Sequence, residues 1–162
     1  MTIAVRPAGT EDAAIVGEIH AESWAVAYAP FFEPAFAAGQ IADRRIRWGA
    51  RVRGGGILLG TVDGRPLAFT WIGPSPTRPG LAELYGCYAH PDGWGTGVAA
   101  TLMAATLGSV SGFPAVHVWT LRDTPQSRRF YVKSGFAETG ATRDLDFGDG
   151  RPLPQVEYER AF

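Results

Sequence analysis

The hydrophobic pattern at the start of the chain predicts a strand followed by two helices. β-branched residues over 2–6 indicate the first strand. Apolar residues then recur at helical spacing over 11–27, with Thr10 expected as the N-cap and acidic residues in the first turn. Pro30 and Pro34 interrupt this pattern, and a second helix is predicted over 41–51.

Two apolar runs predict a β-hairpin in the middle of the chain. They cover 57–62 and 66–72, and the Asp63-Gly64 pair between them is typical of a type I′ turn. The proline-rich stretch over 74–80 then forms a loop, because proline cannot donate to a sheet ladder.

The second half of the chain alternates between predicted strands and helices. In order, they are a strand ending at Ala89, a helix over 98–110, a strand over 115–121, a helix over 125–134 ended by Gly135, and strands over 136–139 and 156–159. The complete order is β-α-α-β-β-β-α-β-α-β-β. It predicts a mixed α/β layer built around one sheet.

Composition places the chain among globular proteins and excludes several partners. With 162 residues, 46% of them apolar, we expect a single domain over 1–162. A net charge of −1 argues against nucleic acid or an anionic membrane as the main partner. Cys87 is the single cysteine, which excludes an intrachain disulfide and a multi-cysteine metal site. No apolar run has the length of a signal peptide or a membrane span, so we expect a cytoplasmic protein.

A glycine-rich loop between a predicted strand and a predicted helix is the most informative feature of the sequence. Glycines at 93, 95 and 97 let the backbone approach a ligand closely, and the helix from Val98 directs free N–H groups into the loop. Such an arrangement favours a phosphate-bearing ligand. Residues 95–100 also match the dinucleotide fingerprint G-x-G-x-x-A, although three residues separate the strand from the first glycine. A glycine-rich solvent turn is the third interpretation.

A second segment, over 121–136, favours one of these interpretations. It ends in Y-x-x-x-G-F at 131–136, and the glycine loop follows a His-Pro step. Together the two segments resemble the motifs of the GCN5-related N-acetyltransferase (GNAT) family, whose loop reads Q/R-x-x-G-x-G/A. The sequence departs from the family at Trp94, where Gln or Arg is usual, and at Thr124, where Asn is frequent.

The resemblance implies a GNAT-like α/β (α+β) fold with a mixed, mostly antiparallel sheet flanked by helices. Its central strands would splay to form the cofactor cleft, and Gly86 is suited to a distortion there. The implied acyl donor is acetyl-CoA. The residues expected to bind it are Cys87, Tyr88, Ala89, Trp94, Gly95, Thr96, Gly97, Val98, Ala99, Thr124 and Ser127.

Two side chains are candidates for the proton transfers of acetyl transfer. Tyr131 matches the family's tyrosine and would donate to the CoA sulfur as general acid; the alternative is that it only packs on the sheet. Glu83 would accept the amine proton, the alternative being a solvated edge carboxylate. Cys87 lies mid-strand without a His and Asp pattern, which indicates a small hydrophobe rather than a nucleophile. The three histidines lie on different elements, so no metal site is expected.

Aromatic residues of the first helical region are the candidates for binding the acyl acceptor, namely Trp24, Tyr28 and Phe31. They indicate either an apolar pocket for a small amine or packing between two helices. Three functional hypotheses follow: acetyl transfer to a small primary amine, acetyl transfer to a protein N-terminus or lysine, and non-catalytic acyl-CoA binding. The sequence leaves open whether the chain forms a homodimer.

Overall fold

Seven strands and five helices are joined by short loops and 3₁₀ turns. The computed structural model describes every residue, Met1–Phe162. The strands are β1 (Ile3–Pro7), β2 (Ile57–Val62), β3 (Arg65–Pro74), β4 (Ala82–Ala89), β5 (Ala115–Leu121), β6 (Ala137–Leu145) and β7 (Leu153–Ala161). The helices are α1 (Ala13–Ala27), α2 (Pro34–Ile46), α3 (Trp48–Arg53), α4 (Val98–Ser109) and α5 (Pro125–Lys133).

The start of the first helical region differs from the prediction. Thr10 is not the cap of α1 but lies inside a 3₁₀ turn, Thr10–Asp12, that precedes it. Asp12 is the N-cap residue of α1 but makes no side-chain capping bond to it. Its carboxylate instead accepts the N–H of Gly9, at the start of the 3₁₀ turn, at 2.7 Å. The same carboxylate accepts two hydrogen bonds from Arg6, and this pairing lowers the pKa of Asp12.

The second predicted helix is two helices, and it begins earlier than expected. Pro34 does not interrupt the helical region but occupies the first turn of α2. Proline is suited to this position, because a backbone N–H in the first turn has no acceptor within the helix. The chain then bends at Arg47, and α3 follows. Gly17 of α1 makes the contact between α1 and α2 close: a Cβ there would lie 2.0 Å from the carbonyl oxygen of Arg45.

The predicted hairpin is confirmed, and the strands form one mixed sheet. Asp63 and Gly64 both have positive φ, 49° and 83°, as a type I′ turn requires. The sheet order is β1-β2-β3-β4-β5-β7-β6. The pairs β1–β2, β2–β3, β5–β7 and β6–β7 are antiparallel, whereas β4 and β5 are parallel. The mostly antiparallel sheet implied by the resemblance is therefore confirmed.

The parallel ladder between the central strands is very short. It consists of two residue pairs, Ala82 with Val116 and Glu83 with His117, although β4 has eight residues and β5 has seven. The ladder ends at Glu83, which agrees with the splayed central strands that the resemblance implied.

Two compact units are distinguished along the chain. The first unit comprises Met1–Trp71 and Gly86–Thr106, and the second comprises Ile72–Tyr85 and Leu107–Phe162. A single domain over 1–162 stays a prediction. No helix combines the length and the hydropathy that crossing a membrane requires.

The first unit buries apolar residues on both faces of its strands. Neighbouring residues of β3 point to opposite faces, so that Phe69 packs with Ile19 and Trp48 while Ala68 packs with Val98 and Leu102. One face is thus covered by α1 and α3, and the other by α4.

The last two strands are longer than the sequence predicted. β6 and β7 each have nine residues, whereas only 136–139 and 156–159 were predicted. Eight of the nine residues of β6 are exposed, so this edge strand lacks the alternation of buried and exposed positions by which strands are recognised.

Candidate active site

The glycine-rich loop forms a tight connection between β4 and α4. After β4 the chain makes a 3₁₀ turn at Pro91–Gly93 and then passes Gly95 and Gly97, with φ of 74° and 87°. Left-handed conformations at alternate residues turn successive N–H groups towards the same side, and this creates a concave site for an anion.

The amide groups of this loop are divided between internal bonds and free donors. The hydroxyl of Thr96 accepts the N–H of Val98 at 3.2 Å and donates to the carbonyl oxygen of Gly93. The first backbone bond into the helix runs from Thr101 N–H to Gly97 O, at 3.1 Å. No acceptor within the chain takes the N–H groups of the loop and first helical turn at residues 95, 97, 99 and 100. These donors, at the positive end of α4, fit a phosphate group.

Trp94 stands at the head of this loop, in the position where the family usually has Gln or Arg. Its side chain is 55% exposed, and its indole N–H donates to the carbonyl oxygen of Ala89 at 3.1 Å. The side chain therefore ties the start of the loop to the last residue of β4. This explains what a tryptophan does there.

The end of β4 presents its side chains alternately to the two faces. The ring of Tyr88 lies over Gly86, so closely that a Cβ at Gly86 would be 2.5 Å from the ring. Tyr88 contacts the ring of His20 on the face covered by α1, with centroids 4.3 Å apart, while Ala89 packs beside α4. Burial raises the pKa of the Cys87 thiol to about 12. A thiol that stays protonated is a poor nucleophile.

In the second unit, Glu83 belongs to a buried polar cluster. Its Oε1 lies 3.1 Å from Nε2 of His117, which is fully buried on β5. The other ring nitrogen, Nδ1, lies 2.9 Å from Oε2 of Glu157. Ser75 Oγ completes the cluster, 2.7 Å from Nε2 of the imidazole.

This cluster was missed in the sequence, although Glu83 itself was a candidate. His117 appeared as an isolated histidine in a strand of apolar residues. A buried imidazole needs hydrogen-bond partners for both of its nitrogens. A histidine within an otherwise apolar strand was therefore the signal that polar partners lie nearby. Its partners come from β4 and β7, which the sequence alone does not bring together.

Tyr131 lies on α5 in an aromatic cluster of the second unit. It is 6% exposed, and its ring centroid is 5.7 Å from that of Phe136 and 6.0 Å from that of Tyr158. Gly135, with φ of 90°, ends α5 as the sequence predicted and directs Phe136 back to this cluster.

Two expected cofactor residues lie near the start of α5. Thr124 is 1% exposed, and its hydroxyl donates to the carbonyl oxygen of Leu121 at 2.9 Å. Ser127 is half-buried in the first turn of the helix.

The three aromatic candidates for acceptor binding occupy different environments in the first unit. Trp24 is 1% exposed and stacks with Phe32, centroids 5.4 Å apart. Tyr28 is half-buried beside Trp24, and burial raises the pKa of its phenol. Phe31 lies in a 3₁₀ turn and is 37% exposed. Trp24 and Tyr28 thus lie next to each other, and Trp24 packs in the core of the helical region.

The expected site residues are therefore distributed over both units. The glycine loop, the end of β4 and the aromatic candidates belong to the first unit. Glu83, Thr124, Ser127 and Tyr131 belong to the second unit.

Comparison with known families identifies the class of protein. The model of the acetyltransferase (GNAT) family matches residues 18–136, which is more than half of the chain. The chain belongs to the GNAT acetyltransferase family. A search of curated proteins found no match.

Solved structures share the fold over nearly the whole chain. A GCN5-related N-acetyltransferase from Rhodopseudomonas palustris is 25% identical with a TM-score of 0.75, covering 100% of this chain and 97% of that one. PaiA N-acetyltransferase from Thermoplasma acidophilum, solved with coenzyme A, is 20% identical with a TM-score of 0.74 and complete coverage of both chains. The putative acetyltransferase yncA from Salmonella typhimurium, solved with acetyl-CoA, is 18% identical with a TM-score of 0.71, covering 98% and 93%.

Proposed function

We propose that this protein is an N-acetyltransferase that moves an acetyl group from acetyl-CoA to a primary amine of a small molecule. The observation that carries the proposal is the connection between β4 and α4, in a chain of the GNAT family. Its two left-handed glycines and its N–H groups without internal acceptors suit a pyrophosphate. The structures of PaiA with coenzyme A and of yncA with acetyl-CoA support this choice of ligand.

The residues that would hold the cofactor follow from this geometry. The backbone from Gly95 to Ala99 would bind the pyrophosphate. The backbone of β4 at 87–89, fixed at its end by Trp94, would pair with the pantetheine arm like an added strand. Bound acetyl-CoA supplies a thioester whose carbonyl carbon accepts the amine and whose sulfur leaves. Thr124 and Ser127 remain candidates from the family motif.

Two residues would move the protons. Glu83 accepts a proton from the attacking nitrogen, and its carboxylate is oriented by His117 at 3.1 Å. Tyr131 donates the proton that the departing sulfur needs. An exposed N–H near Cys87 would stabilise the negative charge that develops on the thioester oxygen.

The proposal is tested by a thiol-release screen. The protein is mixed with acetyl-CoA and a panel of amines, amino acids, antibiotics and peptides, and free CoA is measured. We expect turnover with a small amine. Turnover confined to peptides would replace the small-molecule acceptor with a protein one. Binding of acetyl-CoA without release of CoA for any amine would show a non-catalytic acyl-CoA-binding domain.

Replacing Gly97 with valine is expected to weaken acetyl-CoA binding at least about tenfold. A β-branched residue does not tolerate φ of 87°, so the loop would lose the conformation that directs its N–H groups. Space is not the reason, because a Cβ there would meet only Ile3, at 3.7 Å. Calorimetric titration measures the affinity.

Gly108→Val is the matched control, because Gly108 lies near the other end of α4, the helix that follows Gly97, with open space around it. It should leave the affinity for acetyl-CoA unchanged. Equal binding by the Gly97 variant and the wild type would place the phosphate site elsewhere.

A further inference from the structure

A buried arginine without a counter-ion lies in the helical region where the acceptor candidates were expected. Arg44 of α2 is only 7% exposed. Its hydrogen bonds come from Nη1, to the side chain of Gln40 at 2.6 Å and to the carbonyl oxygen of Gln40 at 3.3 Å. Nε is fully buried and has no hydrogen-bond partner. A buried donor of a charged group is normally paired, so this side chain requires an explanation.

Two carboxylates of this helical region, Asp43 and Glu22, are already paired with other arginines. Asp43 accepts from Nε of Arg47 at 2.8 Å, and Glu22 accepts from Arg45 at 2.9 Å. Arg44 itself forms no ion pair in the structure. Burial and the nearby charge of Arg47 lower its pKa, which means that the folded chain does not compensate its charge fully.

One aromatic ring packs against the guanidinium, and two phenols lie within its electrostatic range. Its central carbon lies 4.5 Å from the ring centroid of Trp24. Tyr28 and Tyr88 are near enough for the positive charge of Arg44 to lower the pKa of their phenols against the stronger effect of burial. Tyr88 belongs to the end of β4, along which the pantetheine arm is proposed to run. Arg44 therefore lies in the same unit as the proposed cofactor site and within electrostatic range of Tyr88 on β4.

We propose that Arg44 binds a carboxylate on the acyl acceptor, so that the substrates of this enzyme are amino acids or similar amines with an acidic group. A guanidinium suits a planar carboxylate with two parallel N–H···O bonds, and in a desolvated place this pair is strong. The carboxylate supplies the charge that Arg44 lacks, while the aromatic rings pack against the rest of the molecule. This inference rests on the proposed acetyl transfer and specifies its acceptor.

The first arm of the test compares substrates in the wild-type protein. Thiol release from acetyl-CoA is measured with the protein amino acids, with their carboxamides and with their decarboxylated amines. We expect the acids to have kcat/KM at least about tenfold above those of the matched neutral compounds. If the neutral compounds are turned over equally well, the proposal for Arg44 is wrong while acetyl transfer stands. If no amine of any kind is turned over, the acetyl transfer itself is wrong.

The second arm identifies Arg44 as the residue responsible. Arg44→Met should raise KM for the acid at least about tenfold and leave KM for the neutral amide unchanged, and Arg44→Lys should restore part of the loss. Arg45→Met is the matched control and should change neither value, because Arg45 pairs with Glu22 at the surface. Wild-type affinity of each variant for acetyl-CoA shows that it is folded. Equal changes for acid and amide would show that Arg44 only packs on Trp24.

Discussion

Glu83→Gln is expected to lower kcat by about 10²–10⁴ at neutral pH, the range usual for the loss of a general base. The amine must lose a proton as it attacks, and glutamine has the size of glutamate but cannot accept that proton. Its amide can still lie near His117, so folding should not suffer. The measurement is the pH dependence of kcat for the wild type and the variant.

The pH profile separates a base from a residue that only supports the structure. As the pH rises towards the pKa of the acceptor amine, the ammonium form loses its proton to solvent. The reaction then depends less on an enzyme base, and the difference in kcat between wild type and variant should shrink. Glu159→Gln is the matched control. Glu159 lies opposite His117 in the β5–β7 ladder, but its carboxylate pairs with Arg78 and not with the imidazole. A constant small difference at every pH would leave Glu83 without a role in proton transfer.

Tyr131→Phe is expected to lower kcat at least about tenfold with little change in acetyl-CoA affinity. A proton donor to the leaving sulfur acts only in the transition state, so its loss affects kcat rather than binding. The ring contacts with Phe136 and Tyr158 remain available to phenylalanine. Steady-state kinetics and calorimetry measure the two quantities.

Tyr158→Phe tests whether packing explains such a result. The hydroxyl of Tyr158 accepts from Arg128 and donates to Glu138, each at 3.0 Å, so its removal affects structure in the same aromatic cluster. We expect lower thermal stability but nearly normal kcat. If both variants lose kcat equally, or if Tyr131→Phe has the wild-type kcat, Tyr131 is not the general acid.

The sequence predicted those parts of the fold that local chemistry determines. The Asp63-Gly64 turn and the end of α5 at Gly135 depend on a few adjacent residues, and both were located correctly. The helices at 34–53 were predicted only in part, because proline was interpreted as a break although it is also suited to a first helical turn. The range predicted for β6 was too short, because its exposed residues show no alternation of apolar and polar positions.

The site was predictable where a motif lies within one segment. The glycine loop was located with its helix, whereas the contacts of Trp94 with Ala89 and of His117 with Glu157 join separate residues that no pattern connects. Arg44 did leave a signal, since it follows Ala37 and Ile41 and precedes Trp48 at core spacing on the helices. A charged residue among these core positions indicates a buried polar group.

The most direct test of the account is calorimetric titration of the wild-type protein with acetyl-CoA. We predict saturable binding with one site per chain, which becomes at least about tenfold weaker in Gly97→Val and is unchanged in Gly108→Val. The glycine loop would then be the phosphate site on which the proposed acetyl transfer depends. No detectable binding of acetyl-CoA by the wild type would contradict both the proposed reaction and the assignment of its acceptor.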